Sequence, residues 1–143
     1  MNPKRLIVAI IAGFVFSFAT DFLIHGVWLA PAYKETASLW RTDIEMNARF
    51  AWMIVAHLLF VAVFATLWAK GLAERGCVTS AAMFGLFMGL FFQSDTLMTY
   101  VVSPLPADIA IKWFVSGLVQ TVLLGILVSL VYKPKNGLSV TPV

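Results

Sequence analysis

Four ionisable side chains able to bind a metal or carry a proton lie within long apolar stretches of the sequence: Asp21, His25, His57 and Asp95. Asp21 and His25 are four residues apart, a spacing that places both on one face of a helix. At a rise of about 1.5 Å per residue, the four lie within about 14 Å of the predicted outer ends of their helices, with His25 the shallowest. The sequence therefore predicts that two carboxylates and two imidazoles lie at a similar depth in three helices.

Three interpretations of this group are open at the level of sequence. In the first, Asp–His hydrogen bonds join the helices, because an ionised side chain at mid-membrane costs at least ~2.5–3.5 kcal/mol and needs a partner. In the second, the group binds a divalent transition metal: zinc, iron or manganese suits these ligands, and two nearby methionines would also admit copper. In the third, the histidines titrate near neutral pH along a proton or ion path that opens outward. The candidate metal ligands are Asp21, His25, His57 and Asp95, with Glu45 as a further ligand from the loop above them.

Other patterns of catalytic residues are missing from the sequence. It contains no HExxH motif, no paired CxxC and no glycine-rich phosphate loop. The single Cys77 is predicted at the cytoplasmic side, far from either histidine, which argues against nucleophilic catalysis. The sequence therefore assigns no enzymatic activity.

The composition predicts a membrane around these side chains. Of the 143 residues, 61% are hydrophobic and 12% are charged, whereas globular domains average roughly 45–50% and about 25%. The mean hydropathy is +0.91, and a chain this short cannot bury so many apolar side chains in its own core. The lipid bilayer is therefore a predicted partner. Nucleic acid is not, because the net charge of +3 is spread thinly and no basic run exceeds Lys4-Arg5.

Four stretches are long and apolar enough to cross a bilayer, which takes about 20 residues in a helix. We predict spanning helices near residues 5–29, 48–70, 78–102 and 108–132. The expected fold class is all-α, an integral membrane four-helix bundle. It forms one domain, residues 1–132, followed by a cytoplasmic tail, residues 133–143.

The distribution of Lys and Arg predicts the orientation of the bundle. With the N-terminus inside, six basic residues lie at the cytoplasmic ends of the helices and four at the outer ends. Because an excess of basic residues marks the cytoplasmic side, both termini are expected there. The carboxylates and imidazoles then lie in the outer half of the bundle.

The connection between the first two spans is long enough to hold structure of its own. Tyr33, Ala37, Trp40 and Ile44 recur at the period of an apolar helical stripe. Pro31 suits the first position of such a helix. We therefore predict a short amphipathic interfacial helix across the outer mouth of the bundle.

Rows of small residues predict which helix faces touch, because helices in lipid associate through close backbone contact. The first span has Gly13 and Ser17 in such a row. The third has Ala81, Gly85 and Gly89, and the fourth has Gly117, Thr121 and Gly125. These rows are predicted to face inward, although a row of this kind also fits the seam of a homodimer.

Several short strings resemble a pattern in a family of small uncharacterised bacterial four-span membrane proteins: Asp21-Phe-Leu-Ile-His25-Gly26, Leu39-Trp40-Arg41 and Glu45-Met46. The fourth span, from Ile111-Lys-Trp113 through Gln120 to Tyr132-Lys133, is similar as well. The resemblance implies a four-helix architecture and brings no activity, substrate or cofactor with it. We accordingly expect a multi-pass protein of the bacterial cytoplasmic (inner) membrane.

Three functions compete on these grounds. The first is a metal-binding membrane protein that uses the carboxylates and imidazoles. The second is an accessory subunit whose apolar faces dock onto a larger membrane complex. The third is a carrier of protons or small solutes that works as a homo-oligomer.

Overall fold

The computed structural model describes residues 2–73 and 77–133, and every long element in these ranges is a helix. In chain order the helices are α1 (Pro3–Asp21), α2 (Ala30–Glu35), α3 (Asp43–Asn47), α4 (Phe50–Gly71), α5 (Val78–Val102) and α6 (Ala107–Val131). A π-helical turn, Phe22–Trp28, prolongs α1. With this turn counted as part of α1, the ends of the four long helices lie within two residues of the predicted spans. From residue 134 onward, the predicted tail lies outside the described residues.

The four long helices have the length and composition of membrane spans. The most apolar windows of α1 with its π-helical turn, of α4 and of α6 have a mean hydropathy of 2.3, and that of α5 has 1.3. Only 17–22% of the residues in these windows are buried within the protein, and the others are exposed or half-buried. The chain is a small polytopic membrane protein with an all-α fold, as the sequence predicts.

The two ends of the described chain meet at one end of the bundle. The backbone N–H of Asn2 donates to the Tyr132 hydroxyl at 3.1 Å. The Arg5 guanidinium donates to the carbonyl oxygen of Lys133 at 2.6 Å. We call the opposite end, which holds the α1–α4 connection and the turn before α6, the far end.

The α1–α4 connection differs from the single amphipathic helix predicted for it. It consists of α2, a 3-10 turn at Ala37–Leu39, and α3. The chain is extended at Trp40, and Thr42 then starts α3 with a capping box, in which its side chain and that of Glu45 each bond the other's backbone N–H. This local stop and restart divides the predicted stripe. Tyr33 and Trp40 pack with ring centroids 5.2 Å apart, whereas Ile44 is 83% exposed.

Helices α5 and α6 approach each other closely through their small residues. A Cβ placed on Gly125 would lie 2.5 Å from the carbonyl oxygen of Ala81, and one on Gly85 would lie 2.7 Å from the Cα of Val122. Both distances are too short for any side chain, and the clashing atoms belong to the backbone. The prediction that these rows face inward is confirmed. On α1, Gly13 and Ser17 are likewise buried.

Packing is tightest in the half of the bundle near the termini. The buried residues of α4 begin at Val61 and continue through Phe64 to Trp68. The rings of Phe64 and Phe84 connect α4 to α5 there, with centroids 4.8 Å apart. Residues 50–60 of α4 are exposed or half-buried. The far half of the bundle is therefore more open, and the polar side chains of the spans collect in it.

Candidate functional site

A cavity of about 210 Å³ lies in the far half of the bundle. It is bounded by the end of α1 with its π-helical turn, by α5 and by α6. Most of its lining side chains are polar, although the helices that carry them are largely apolar. The lining residues are Asp21, Ile24, His25, Gln93, Thr96, Trp113, Ser116, Gly117 and Gln120.

Asp21, the last residue of α1, connects three helices through its carboxylate. Its Oδ2 lies 2.5 Å from Nε2 of His57 on α4, and its Oδ1 accepts a hydrogen bond of 2.8 Å from the amide of Gln120 on α6. The same amide donates to the Thr20 hydroxyl at 2.6 Å. These bonds satisfy polar groups that lipid cannot solvate, and they fix the orientation of the carboxylate.

The contacts of His57 determine how many protons the Asp21–His57 pair holds. Nδ1 of His57 lies 2.8 Å from the carbonyl oxygen of Met53, which can only accept, so Nδ1 carries a hydrogen. The contact between Nε2 and the carboxylate then needs one further proton between the two atoms. Whether this proton belongs to the imidazole or to the carboxyl group, the pair as a whole is neutral.

His25 belongs to a second hydrogen-bonded group, which includes Tyr33 and Trp113. Nε1–H of Trp113 donates to the Tyr33 hydroxyl at 2.7 Å, and this hydroxyl lies 2.6 Å from Nδ1 of His25. Burial raises the pKa of the Tyr33 phenol, and the hydrogen bond from Trp113 offsets this only in part. The phenol therefore keeps its proton, and its contact with Nδ1 joins His25 to Tyr33 in either tautomer of the imidazole.

The π-helical turn positions His25 relative to Asp21. At the end of this turn, the N–H of Leu29 donates to the carbonyl of Ile24, five residues back, at 2.8 Å. Turns of this kind occur frequently at functional sites. Asp21 and His25, four residues apart along this wider helix, both line the cavity.

Asp95 does not join the other candidate residues. It lies at a comparable depth on α5, but its side chain is exposed and the cavity is lined by Gln93 and Thr96 instead. At about 100° per residue, Asp95 points roughly 160° away from Gln93 and about 100° away from Thr96. The expectation that Asp95 converges with Asp21 and His57 is therefore wrong, because equal depth does not determine the direction in which a helical residue points.

Glu45 does not reach the cavity either. Its carboxylate accepts hydrogen bonds from the Thr42 backbone N–H at 3.1 Å and from the Thr42 hydroxyl at 3.0 Å. These bonds lower the pKa of Glu45, the backbone bond most strongly. The side chain is exposed, so Glu45 caps α3 and does not contribute to the group around Asp21.

The described residues bring no three His, Cys, Asp or Glu side chains close enough to hold a metal ion. Asp21 and His57 contact each other directly, and His25 bonds to Tyr33. Of the three interpretations of the sequence, the observed contacts agree best with the first, in which Asp–His bonds join helices. Metal binding stays a prediction, and so does the proton path.

Several residues of the site are not among those predicted from the sequence, because that prediction considered only ionisable side chains. Gln120 holds Asp21 in place, and it could have been found as the one amide in the fourth apolar span. Gly117 makes room for the amide of Gln93, because a Cβ at this glycine would overlap that side chain. For Tyr33 and Trp113, the sequence shows only that they are aromatic, and nothing in it predicts that they belong to the site.

Comparison of the chain with models of protein families, with curated proteins and with solved structures finds no match in any of the three. The chemistry assigned to the site therefore rests on the contacts described above.

Proposed function

We propose that this polytopic membrane protein binds a small polar solute in the cavity of its far half. The observation that carries the proposal is a space of about 210 Å³ lined mainly by polar side chains inside apolar spanning helices. Polar groups at this depth are costly unless they find partners. The space between the helices of a bundle is also a common location for a small-molecule site.

The lining groups offer both hydrogen-bond donors and acceptors. The Ser116 hydroxyl donates to the carbonyl of Lys112 at 2.6 Å, which leaves its oxygen free to accept. The Thr96 hydroxyl donates to Oε1 of Gln93 at 2.7 Å and is an acceptor in the same way. The amide nitrogen of Gln93 supplies a donor. A polar solute would replace the water that otherwise meets these groups.

We also propose that the far end faces the outside, with both termini in the cytoplasm of a bacterial inner membrane. The six-to-four basic asymmetry and the resemblance to bacterial four-span proteins support this orientation. In intact cells, an impermeant thiol reagent should then label Ser38→Cys but not Lys133→Cys, each made in a Cys77→Ser background. The reverse pattern would invert the orientation.

The solute site is tested by the reactivity of a thiol placed inside it. Ile24 lines the cavity, whereas its neighbour Leu23 is 58% exposed on the surface of the same π-helical turn. Thiols ionise and react in water but not in lipid, so Ile24→Cys should be alkylated by N-ethylmaleimide at least tenfold faster than Leu23→Cys in a Cys77→Ser background. Equal rates at the two positions would mean that the cavity holds no water and would contradict the proposal.

One observation favours a second function, that of a subunit in a membrane assembly. The Asp95 carboxylate is exposed beside Phe91 and Met98, which are 73% and 64% exposed. It lies about 10 Å along α5 from the far end of the helix, where an ionised carboxylate in lipid costs at least ~2.5–3.5 kcal/mol. A second copy of this chain that offers hydrogen-bond donors would remove that cost.

Light scattering in mild detergent tests this second function. The protein should then be an oligomer that dissociates in Asp95→Leu and persists in Asp95→Asn, which keeps the hydrogen-bonding shape. A monomeric protein, or an oligomer indifferent to Asp95→Leu, would speak against a second copy at this surface.

A further inference from the structure

We infer that the solute bound in the cavity is a small organic cation with an ammonium group, held by the Asp21 carboxylate. The inference rests on the proposed function and adds the chemical class of the ligand. Asp21 is the one carboxylate among the described residues that line the cavity, and no Lys or Arg side chain lines it. The electrostatic environment of the cavity therefore favours a positive charge.

The position of His57 keeps the carboxylate available to the cavity. His57 bonds Oδ2 of Asp21 from α4 and does not line the cavity, whereas Oδ1 points toward Gln120, which does. The carboxylate thus lies between the imidazole and the solute space. When the shared proton is on His57, the pair presents its negative end to the cavity. When the proton is on Oδ2, Oδ1 still accepts a hydrogen bond.

The charged and titratable groups around this carboxylate do not reverse that preference. His25 on the π-helical turn contacts the Tyr33 hydroxyl through Nδ1. On α6, Lys112 pairs with Asp108 at 3.1 Å in an exposed i, i+4 salt bridge. On α5, Asp95 is exposed outside the cavity. The carboxylate that a solute meets in the cavity is therefore that of Asp21, the acidic member of its pair with His57.

Two further lining oxygens suit an ammonium group. The hydroxyls of Thr96 and Ser116 both donate their own hydrogens within the protein, so each turns lone pairs outward. An ammonium group carries only donors, which match these oxygens and the carboxylate. An anion would find a donor in the Gln93 amide, but it would also face the Asp21 carboxylate and these two hydroxyl oxygens. The volume of about 210 Å³ admits a small amine.

The inference is tested with three probes of similar size and different charge: ethylammonium, acetamide and acetate. Each is added while N-ethylmaleimide alkylates Ile24→Cys in the Cys77→Ser background. Ethylammonium should protect the thiol at a concentration at least tenfold lower than acetamide, and acetate should give the least protection. In an added Asp21→Asn change, ethylammonium should protect no better than acetamide, whereas the matched control Asp95→Asn should keep the preference.

The outcomes separate the inference from the function on which it rests. A thiol at position 24 that reacts no faster than one at position 23 contradicts the cavity itself. A reactive thiol that the three probes protect equally, or not at all, overturns only the assignment of a cation. This comparison uses the protein with Asp21 in place, so it stands even if Asp21→Asn does not fold.

Discussion

Removing both members of the Asp21–His57 pair should cost far less than the sum of the two single changes. The perturbation is a double-mutant cycle of His57→Leu, Asp21→Leu and the two together. His57 is held by Asp21 at 2.5 Å and by edge contacts to Phe18, whose ring centroid lies 5.6 Å away. Leucine keeps much of the apolar volume at each position, so the cycle isolates the polar contact.

The structure sets the size of the expected coupling. Hydrogen bonds to a charged group contribute about 1.5–3 kcal/mol. The side chains of His57 and Asp21 are 15% and 30% exposed, so screening reduces the value to the lower part of this range. We expect each single change to lower the free energy of unfolding by about 2–3 kcal/mol, and a coupling of about 2 kcal/mol between them.

Unfolding of the purified protein in mixed micelles, followed by tryptophan fluorescence during titration with a denaturing detergent, measures all four corners of the cycle. Asp95→Leu is the matched control, because this exposed carboxylate lies at a comparable depth and does not contact His57. The change in the free energy of unfolding caused by Asp95→Leu should add to that caused by His57→Leu within about 0.5 kcal/mol. A coupling below that value for the Asp21–His57 pair would refute the interpretation of this contact as a bond that holds α1 to α4.

The remaining predictions concern packing, the thiol and metal content. Gly85→Ala should destabilise the protein by about 1–2 kcal/mol, because overpacking against the α6 backbone exceeds the helical gain of about 0.5–1 kcal/mol. Gly71→Ala, which meets nothing within 4 Å, should be neutral or stabilising in the same unfolding assay. Hydrogen bonds from the Ser80 hydroxyl and then its backbone N–H lower the pKa of Cys77. Its alkylation rate should therefore rise with pH at a midpoint below that of a free thiol, and Ser80→Ala should move this midpoint upward. Elemental analysis of protein purified without chelator should find less than one bound transition metal per chain. A stoichiometric metal lost in His57→Ala would instead establish the metal site.

The spans could be predicted because their signal is local and chemical. Lipid cannot hydrogen-bond to the backbone, so each crossing must be a helix of about 20 apolar residues, and such a stretch is visible in the sequence. The inward faces of α5 and α6 were equally predictable. Small residues are the ones that let backbones approach, and Gly85 and Gly125 lie against backbone atoms of the neighbouring helix.

The connection after α1 shows where local patterns compete. An apolar stripe through Tyr33 and Trp40 predicts one helix, yet Thr42 and Glu45 form a capping box that starts a separate one. Both signals were present in the sequence. The capping box determined the structure because it satisfies backbone N–H groups at the start of α3. Continuing the stripe would have gained little, since Ile44 is 83% exposed.

For the site, the sequence by itself determined which polar residues lie within the membrane and at what depth, since depth follows from counting residues along a helix. It placed Asp21 and His57 at one level and left their pairing as one of three interpretations. The tertiary structure decided which of these residues meet, because that depends on the rotation of each helix about its axis. Rotation brought Gln120 and His57 onto the two oxygens of Asp21 and turned Asp95 outward. The close contact of α5 with α6 fixes the rotation of these two helices, which carry Asp95 and Gln120, and the contact is a property of two helices together.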